Sequence, residues 1–217
     1  MTFDLFDDLL PETPHTEPLA AGAVILRAFA HAAAPALLEA VARITASAPW
    51  RHLVTPGGQR MSVAMTNCGS FGWVSDARGY RYEPADPLSG QPWPAMPEPF
   101  RTLAAEAAQA AGFAGFAPDA CLVNRYLPGT RLSLHQDRDE RDLRAPIVSV
   151  SLGLPATFLF GGLQRTDRTA RVRLAHGDVV VWGGPSRLAY HGVAPLADGD
   201  HPLCGHERIN LTFRRAR

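Results

Sequence analysis

The chain contains no lysine: all 21 of its basic residues are arginine, and they balance 21 acidic ones to a formal net charge of zero. A molecule so balanced exerts no overall pull on polyanions, so any contact with nucleic acid must come from a local patch. The missing lysines are read as composition rather than as a choice of planar, phosphate-matching guanidiniums. Cysteine is scarce as well. Cys68, Cys121 and Cys204 are odd in number and widely spaced. That excludes a disulfide framework, gives no zinc spacing and points to a reduced, cytoplasmic setting. No apolar run nears the roughly 18 residues of a membrane span, and the acidic start (Asp4, Asp7, Asp8) is unlike a signal peptide. A soluble protein with no membrane partner is expected. There is no internal repeat and no low-complexity tract beyond an alanine bias.

What is present suits a compact, turn-rich, β-leaning fold: 46% hydrophobic residues with 19 glycines and 19 prolines in 217 residues, a length one domain can hold. Residues 1–20, with three prolines, read as an extended lead-in. Ala23 to Leu26 reads as a strand and Pro35 to Ala48 as a helix, its apolar Leu37, Leu38, Val41 and Ile44 recurring at three and four. From Arg51 to Tyr82, glycines interleave with Trp73, Tyr80 and Tyr82, which predicts short hairpins and a candidate lid over 51–84. A proline-rich connector (Pro84 to Pro99) leads to a second helix, Phe100 to Ala111. After Pro118 every segment reads as strand: Cys121 to Leu127, Leu132 to Gln136, Ile147 to Leu152, Thr157 to Phe160, Arg171 to Leu174, Val179 to Trp182, Leu188 to His191 and Arg208 to Phe213. Turn signals separate them, so residues 118–217 predict a sandwich or jelly roll.

The chemistry starts at His135-Gln136-Asp137. Residues i and i+2 of a strand share a face and can grip one ion together. Such a triplet is common by chance and needs a second imidazole, for which His191, placed at the end of a predicted strand, is the best candidate. Two imidazoles and a carboxylate on three corners of an octahedron form the facial triad of non-haem Fe(II) oxygenases. His15, His31, His52, His176, His201 and His206 fall in expected loops, turns or helix starts, with none beside a strand carboxylate at i+2, and are not read as ligands. The last strand alternates: Arg208, Asn210, Thr212 and Arg214 on one face, Ile209, Leu211 and Phe213 on the other. Its polar face either meets solvent or lines a barrel. In the second case two arginines suit a dicarboxylate such as 2-oxoglutarate, with Asn124 and Tyr126 on a neighbouring strand face able to offer an amide and a phenol.

Taken together, Asn124-Arg125-Tyr126, Leu134-His135-Gln136-Asp137, His191 and Arg208-x-Asn210-x-x-x-Arg214 resemble the AlkB family of dioxygenases. The likeness to bacterial members extends over Leu19 to Leu26, Val54 to Gly69, Pro92 to Pro97, Ala145 to Pro155, His176 to Gly184 and Asn210 to Arg214, nearly the whole chain. The resemblance implies a mainly β double-stranded β-helix (jelly roll) with flanking helices and a nucleotide-recognition lid. It implies Fe(II) held by His135, Asp137 and His191, and 2-oxoglutarate bound by Arg208 and Arg214 with Asn124, Tyr126 and Asn210. It further implies an O₂-dependent reaction in which 2-oxoglutarate yields succinate and CO₂ while an N-methyl group is hydroxylated and leaves as formaldehyde. The expected substrates are 1-methyladenine and 3-methylcytosine in single- or double-stranded DNA, with RNA as an alternative. Such bases must be unstacked to react, and an aromatic platform offsets the lost stacking, worth roughly 1–3 kcal/mol per base.

Within the same resemblance Trp73 is the stacking residue, Tyr80 meets a backbone phosphate, Asp139 faces the cationic base and Arg165 contacts substrate. A monomer is expected. The sequence departs from the family's pattern at Arg138 and over Cys204-Gly205-His206-Glu207, which bears on substrate grip and not on the iron ligands. Two rivals remain: a related dioxygenase acting on modified tRNA or a small molecule, and a cupin-like binding module without turnover.

Overall fold

The computed structural model describes residues 13–217. Of the expected lead-in over residues 1–20, residues 1–12 lie outside the described residues. The rest departs from expectation, because His15–Ala20 forms a strand (β1) paired antiparallel with Ala23–Arg27 (β2). Pro18 made this segment read as irregular, yet β1 is the edge of its sheet, where a missing backbone N–H is tolerated. There follow α1 (Ala34–Ser47), β3 (Ala64–Gly69), β4 (Gly72–Asp76), β5 (Gly79–Glu83), α2 (Glu98–Ala110), β6 (Ala120–Tyr126), β7 (Leu132–His135) and β8 (Ile147–Gly153). The chain continues as β9 (Ala156–Phe160), β10 (Ala170–Leu174), β11 (Val179–Trp182), β12 (His191–Val193) and β13 (Arg208–Arg214).

The strands form a seven-stranded sheet in the order β1-β2-β11-β8-β13-β6-β3 and a four-stranded sheet in the order β10-β9-β12-β7, with β4–β5 a separate hairpin. The two sheets pack through Leu122, Tyr126, Phe158, Phe160, Val180 and Trp182, giving the two-layer jelly roll expected from the strand spacing. On its other side the large sheet carries both helices. Leu37, Val41 and Ile44 of α1, with Phe100, Leu103 and Ala107 of α2, pack on Val123, Val150, Leu211 and Phe213. Phe100 meets Phe213 edge-on at 5.6 Å, and truncating a core phenylalanine of this kind costs about 3–5 kcal/mol. Helix α2 begins before the expected Phe100, because Pro99 fits the first helical turn, where its missing N–H has no partner to lose.

This layering settles what the polar face of β13 does. The strand is buried on both sides, with its apolar face under the helices and Arg208, Asn210, Thr212 and Arg214 turned between the sheets. A second expectation is corrected: Leu188 to His191 is not a strand. Residues Gly184–Ser186 form a 3-10 turn, the chain bends past Leu188, and β12 starts at His191. The buried Arg187 side chain causes the bend. It donates from Nε to the Ala145 carbonyl at 2.9 Å and from Nη1 to the Asp137 carbonyl at 2.7 Å, which draws this segment inward.

Candidate metal and co-substrate centre

His135 closes β7 and His191 opens β12, and these residues face each other across the strand pair. Each imidazole Nδ1 lies against a main-chain carbonyl, Ser133 at 2.9 Å and Ala189 at 3.0 Å. A carbonyl can only accept, so both Nδ1 atoms carry hydrogen and both Nε2 atoms present lone pairs. Those lone pairs point at one carboxylate: His135 Nε2 lies 3.7 Å from Asp137 Oδ1 and His191 Nε2 lies 3.8 Å from Asp137 Oδ2. Asp137 is not placed by strand pleating, since β7 ends at His135. It is placed from behind, by Arg187 on its carbonyl and by Arg214, whose Nε and Nη2 reach its Oδ2 at 2.8 and 2.7 Å. Burial would raise the Asp137 carboxyl, but the Arg214 guanidinium, ahead of His191 and His135, holds it well below the usual carboxylate range. Burial, then His135, pushes the His191 imidazole down to about 3, so this ring is a neutral donor at pH 7. Two lone-pair nitrogens and an ionised carboxylate converge on one point, a donor set matched to a divalent first-row metal of the iron class.

Beside this triad lies a slot with unmet polar groups. Arg208 is 1% exposed; one nitrogen, Nη2, donates to Ser151 Oγ at 2.9 Å, while Nε and Nη1 have no partner. Burial lowers the Arg208 pKa from its ordinary value, yet an arginine stays charged in any protein environment. The Asn124 amide donates to Asn210 Oδ1 at 3.1 Å and leaves its own Oδ1 unpartnered; Trp182 Nε1 is also buried and unpartnered. Each orphaned buried group costs about 1–3 kcal/mol, more when charged, unless a ligand satisfies it. Tyr126 lies under the Arg208 guanidinium, 5.0 Å from ring centre to carbon. Asn210 is itself engaged, donating to Ser149 Oγ and the Val150 carbonyl and accepting from Thr212.

Every residue expected from the sequence to bind iron, co-substrate or substrate lines one cavity of ≈ 810 Å³, within the range of small-molecule sites. At its mouth stand Trp73, Tyr80, Asp139 and Arg165. The Trp73 ring stacks on Tyr80 (5.5 Å, 11° between planes) and donates from Nε1 to Asp139 Oδ2 at 2.9 Å. Its backbone is clamped to β3 by a two-way amide bond with Asn67. Arg165 donates to the Leu134 carbonyl at 2.8 Å, one residue before the His135 ligand position.

Sequence reading missed the network behind the triad. Glu140, with a side chain 2% exposed, accepts from Tyr82 OH at 2.6 Å and from Arg187 Nη2 at 2.9 Å, and Arg214 Nε approaches it at 3.5 Å. Glu140 lies in a charge-dense stretch that reads as solvated. One signal was available: Glu140 follows Asp137 by three residues, and a run so close to a ligand site has reason to turn inward. The histidines set aside also need a correction, since His15 lies on β1 and meets the carboxylate of Glu17, two residues on, at 3.1 Å.

Comparison with known proteins agrees with this geometry. The family model of the 2OG-Fe(II) oxygenase superfamily matches residues 22–214. The chain is 60% identical over 213 residues to "Alpha-ketoglutarate-dependent dioxygenase AlkB" of Salmonella typhimurium (strain LT2), covering 98% of this chain and 97% of that one. It is 61% identical over 213 residues, with the same coverage, to the protein of that name from Escherichia coli (strain K12). Among solved structures, one described as "The structure of OsALKBH1" superposes with a TM-score of 0.82 at 29% identity, covering 93% of this chain and 100% of that chain.

Proposed function

Since this chain belongs to the AlkB family of the 2OG-Fe(II) oxygenase superfamily, we propose that it is an Fe(II)- and 2-oxoglutarate-dependent dioxygenase that oxidatively demethylates nucleic-acid bases. His135, Asp137 and His191 are the residues that would hold Fe(II), because their Nε2 lone pairs and carboxylate meet at one point. Bound there, iron supplies the activation of O₂ that couples decarboxylation of 2-oxoglutarate to succinate with hydroxylation of an N-methyl group, lost as formaldehyde.

The protein's own residues bind and orient. Arg208, with two unpartnered buried donors, takes a carboxylate of 2-oxoglutarate. Asn124 lines the slot with its amide held by Asn210 Oδ1, and Tyr126 forms a ring wall. Arg214 lines the same cavity and contributes mainly by keeping Asp137 ionised and oriented. Residues 51–84 act as a lid in which Trp73 stacks on the unstacked base, Tyr80 meets the phosphate backbone, and Asp139, released from Trp73, faces the positive ring. Arg165 steadies the rim. The chain is taken to act as a monomer, and no helix among the described residues is long and apolar enough to cross a membrane.

The observation that carries this reading is a lone-pair triad and an orphaned arginine sharing one cavity. The substrate assigned is 1-methyladenine or 3-methylcytosine in DNA. Purified protein with Fe(II), ascorbate and 2-oxoglutarate should form succinate and formaldehyde in equal amounts from 3-methylcytosine oligonucleotides, and His135→Ala should reduce both to background. Succinate no higher than in that variant would leave only a binding module. Formaldehyde from methylated tRNA or free nucleosides, and none from DNA, would move the substrate to the rival class.

A further inference from the structure

A second group of ligating side chains lies outside this cavity. A ring nitrogen of His176, a ring nitrogen of His201 and Cys204 Sγ all lie within 4.8 Å of one another. His176 sits in the turn between β10 and β11, and His201 and Cys204 in the 201–205 turn before β13, closed by a bridge between His201 and Gly205. The two rings stack at 4.4 Å between centroids, and His31, just before α1, meets His176 edge-on at 5.4 Å. Beside them opens a separate cavity of ≈ 440 Å³, lined by His31, His176 and His201.

The ring tautomers are the reverse of those in the triad. Gly153 N–H donates to His176 Nδ1 at 3.0 Å, and Leu203 N–H donates to His201 Nδ1 at 3.2 Å. Both rings therefore keep a lone pair on Nδ1, which metals also use. Cys204 Sγ crowds the same glycine that binds His176: a Cβ at Gly153 would lie 3.1 Å from it. Sulfur and the Nδ1 side of His176 thus share one small space, kept open by a residue with no side chain.

We infer that His176, His201 and Cys204 form a second metal site, for a borderline-soft divalent cation of the zinc class, with His31 or water as fourth ligand. A thiolate with two imidazoles suits a tetrahedral zinc-type ion and disfavours the oxygen-loving metals. Tetrahedral bonds of ordinary length put ligand atoms roughly 3.3–3.6 Å apart, so the half-exposed 201–205 turn closes by about 1 Å on binding. One thiol proton is released, and each ring exchanges a backbone N–H···N bond for a metal bond. Cys204 stands four residues before Arg208, so the ion would staple the approach to β13. His201 and Cys204 are three residues apart, but His176 lies 25 residues earlier on another turn, so no complete spacing pattern announced the site.

The test is anaerobic titration of chelator-stripped, reduced full-length protein with Co²⁺. The His135, Asp137 and His191 centre has no sulfur, so a thiolate-to-cobalt charge-transfer band reports the second site alone. The band should appear in the wild type and in His135→Ala, vanish in Cys204→Ser, and be displaced by Zn²⁺. Disturbing a ligand's neighbours already weakens metal sites about 10–100-fold, so His201→Ala should weaken Co²⁺ binding by more than about 100-fold. With the first centre disabled, Zn²⁺ should raise the Tm of His135→Ala but not of the double variant His135→Ala/Cys204→Ser, whose fold is checked by circular dichroism. Absence of the band in wild type, or its persistence in Cys204→Ser, overturns the assignment, and either result leaves the iron-centre reading untouched.

Discussion

The two ends of β13 carry the same side chain in opposite conditions. Arg214 has its counter-charge: Asp137 takes two of its nitrogens, Nε and Nη2, and Glu140 stands 3.5 Å away. Arg208, six residues earlier on the same face, is as deeply buried but keeps two donors idle. Sequence alternation treats the pair as equals, and both would suit a dicarboxylate. Their surroundings separate them. A guanidinium whose counter-charge is supplied by the protein is part of the scaffold, whereas one desolvated without a counter-charge marks where a ligand's charge belongs.

The largest expected effect would break the comparison outright if absent. Arg214→Met leaves Asp137 buried without its cation and should destabilise the ligand-free protein by about 3–5 kcal/mol in urea unfolding. Arg208→Met removes an unpaired buried charge, so the same measurement should show unchanged or raised stability. Its cost should appear in binding instead. Losing the charged partner of a buried carboxylate costs about 2–5 kcal/mol, a rise in the Kd for 2-oxoglutarate of roughly 30-fold or more by calorimetry. Equal unfolding penalties for the two variants would mean that Arg208 has a structural partner after all and that the co-substrate slot is misplaced.

Which features were readable follows from what a sequence carries. Strand alternation gave the polar face of β13, and the His-x-Asp triplet pointed to His135 and Asp137 by closeness in sequence, although β7 ends at His135 and tertiary contacts from Arg187 and Arg214 place Asp137. The third candidate ligand, His191, was named for a partly wrong reason: the strand begins there, and the inward pull of Arg187 four residues before it spoils the local pattern. Glu140, Arg187 and Tyr82 come from three separate elements and meet only through tertiary contacts. Glu140 in particular sits in the most charged stretch of the chain, where burial is the least expected outcome. The same limit hid β1, whose Pro18 is acceptable only because the strand ends up at an edge.

A third guanidinium sharpens the contrast from outside the cavity. Before β3, Arg51 grips Asp86, with Nη2 donating to Oδ2 at 2.6 Å, and Asp86 also accepts from the Leu88 N–H and Ser89 Oγ. If a counter-charge supplied by the protein marks scaffold, this pair should act on stability alone. The Arg51 bond, against the opposing effect of burial, lowers the Asp86 pKa to about 2, compared with about 3.9 in an unfolded chain. A carboxyl depressed on folding stabilises the native state above the unfolded value, and that contribution disappears as pH falls through the folded one. Asp86→Asn should therefore cost about 2 kcal/mol at pH 6, and the two urea midpoints should converge as pH approaches 2, where the wild-type carboxyl is itself neutral. Other acid-sensitive groups titrate alike in both proteins and cancel in the difference. A constant gap from pH 6 to pH 2 would show that the Asp86 carboxylate acts by shape and hydrogen bonding, with its charge playing no part. The affinity for 2-oxoglutarate at pH 7 should not change, since neither member of the pair reaches the slot that Arg208 leaves open.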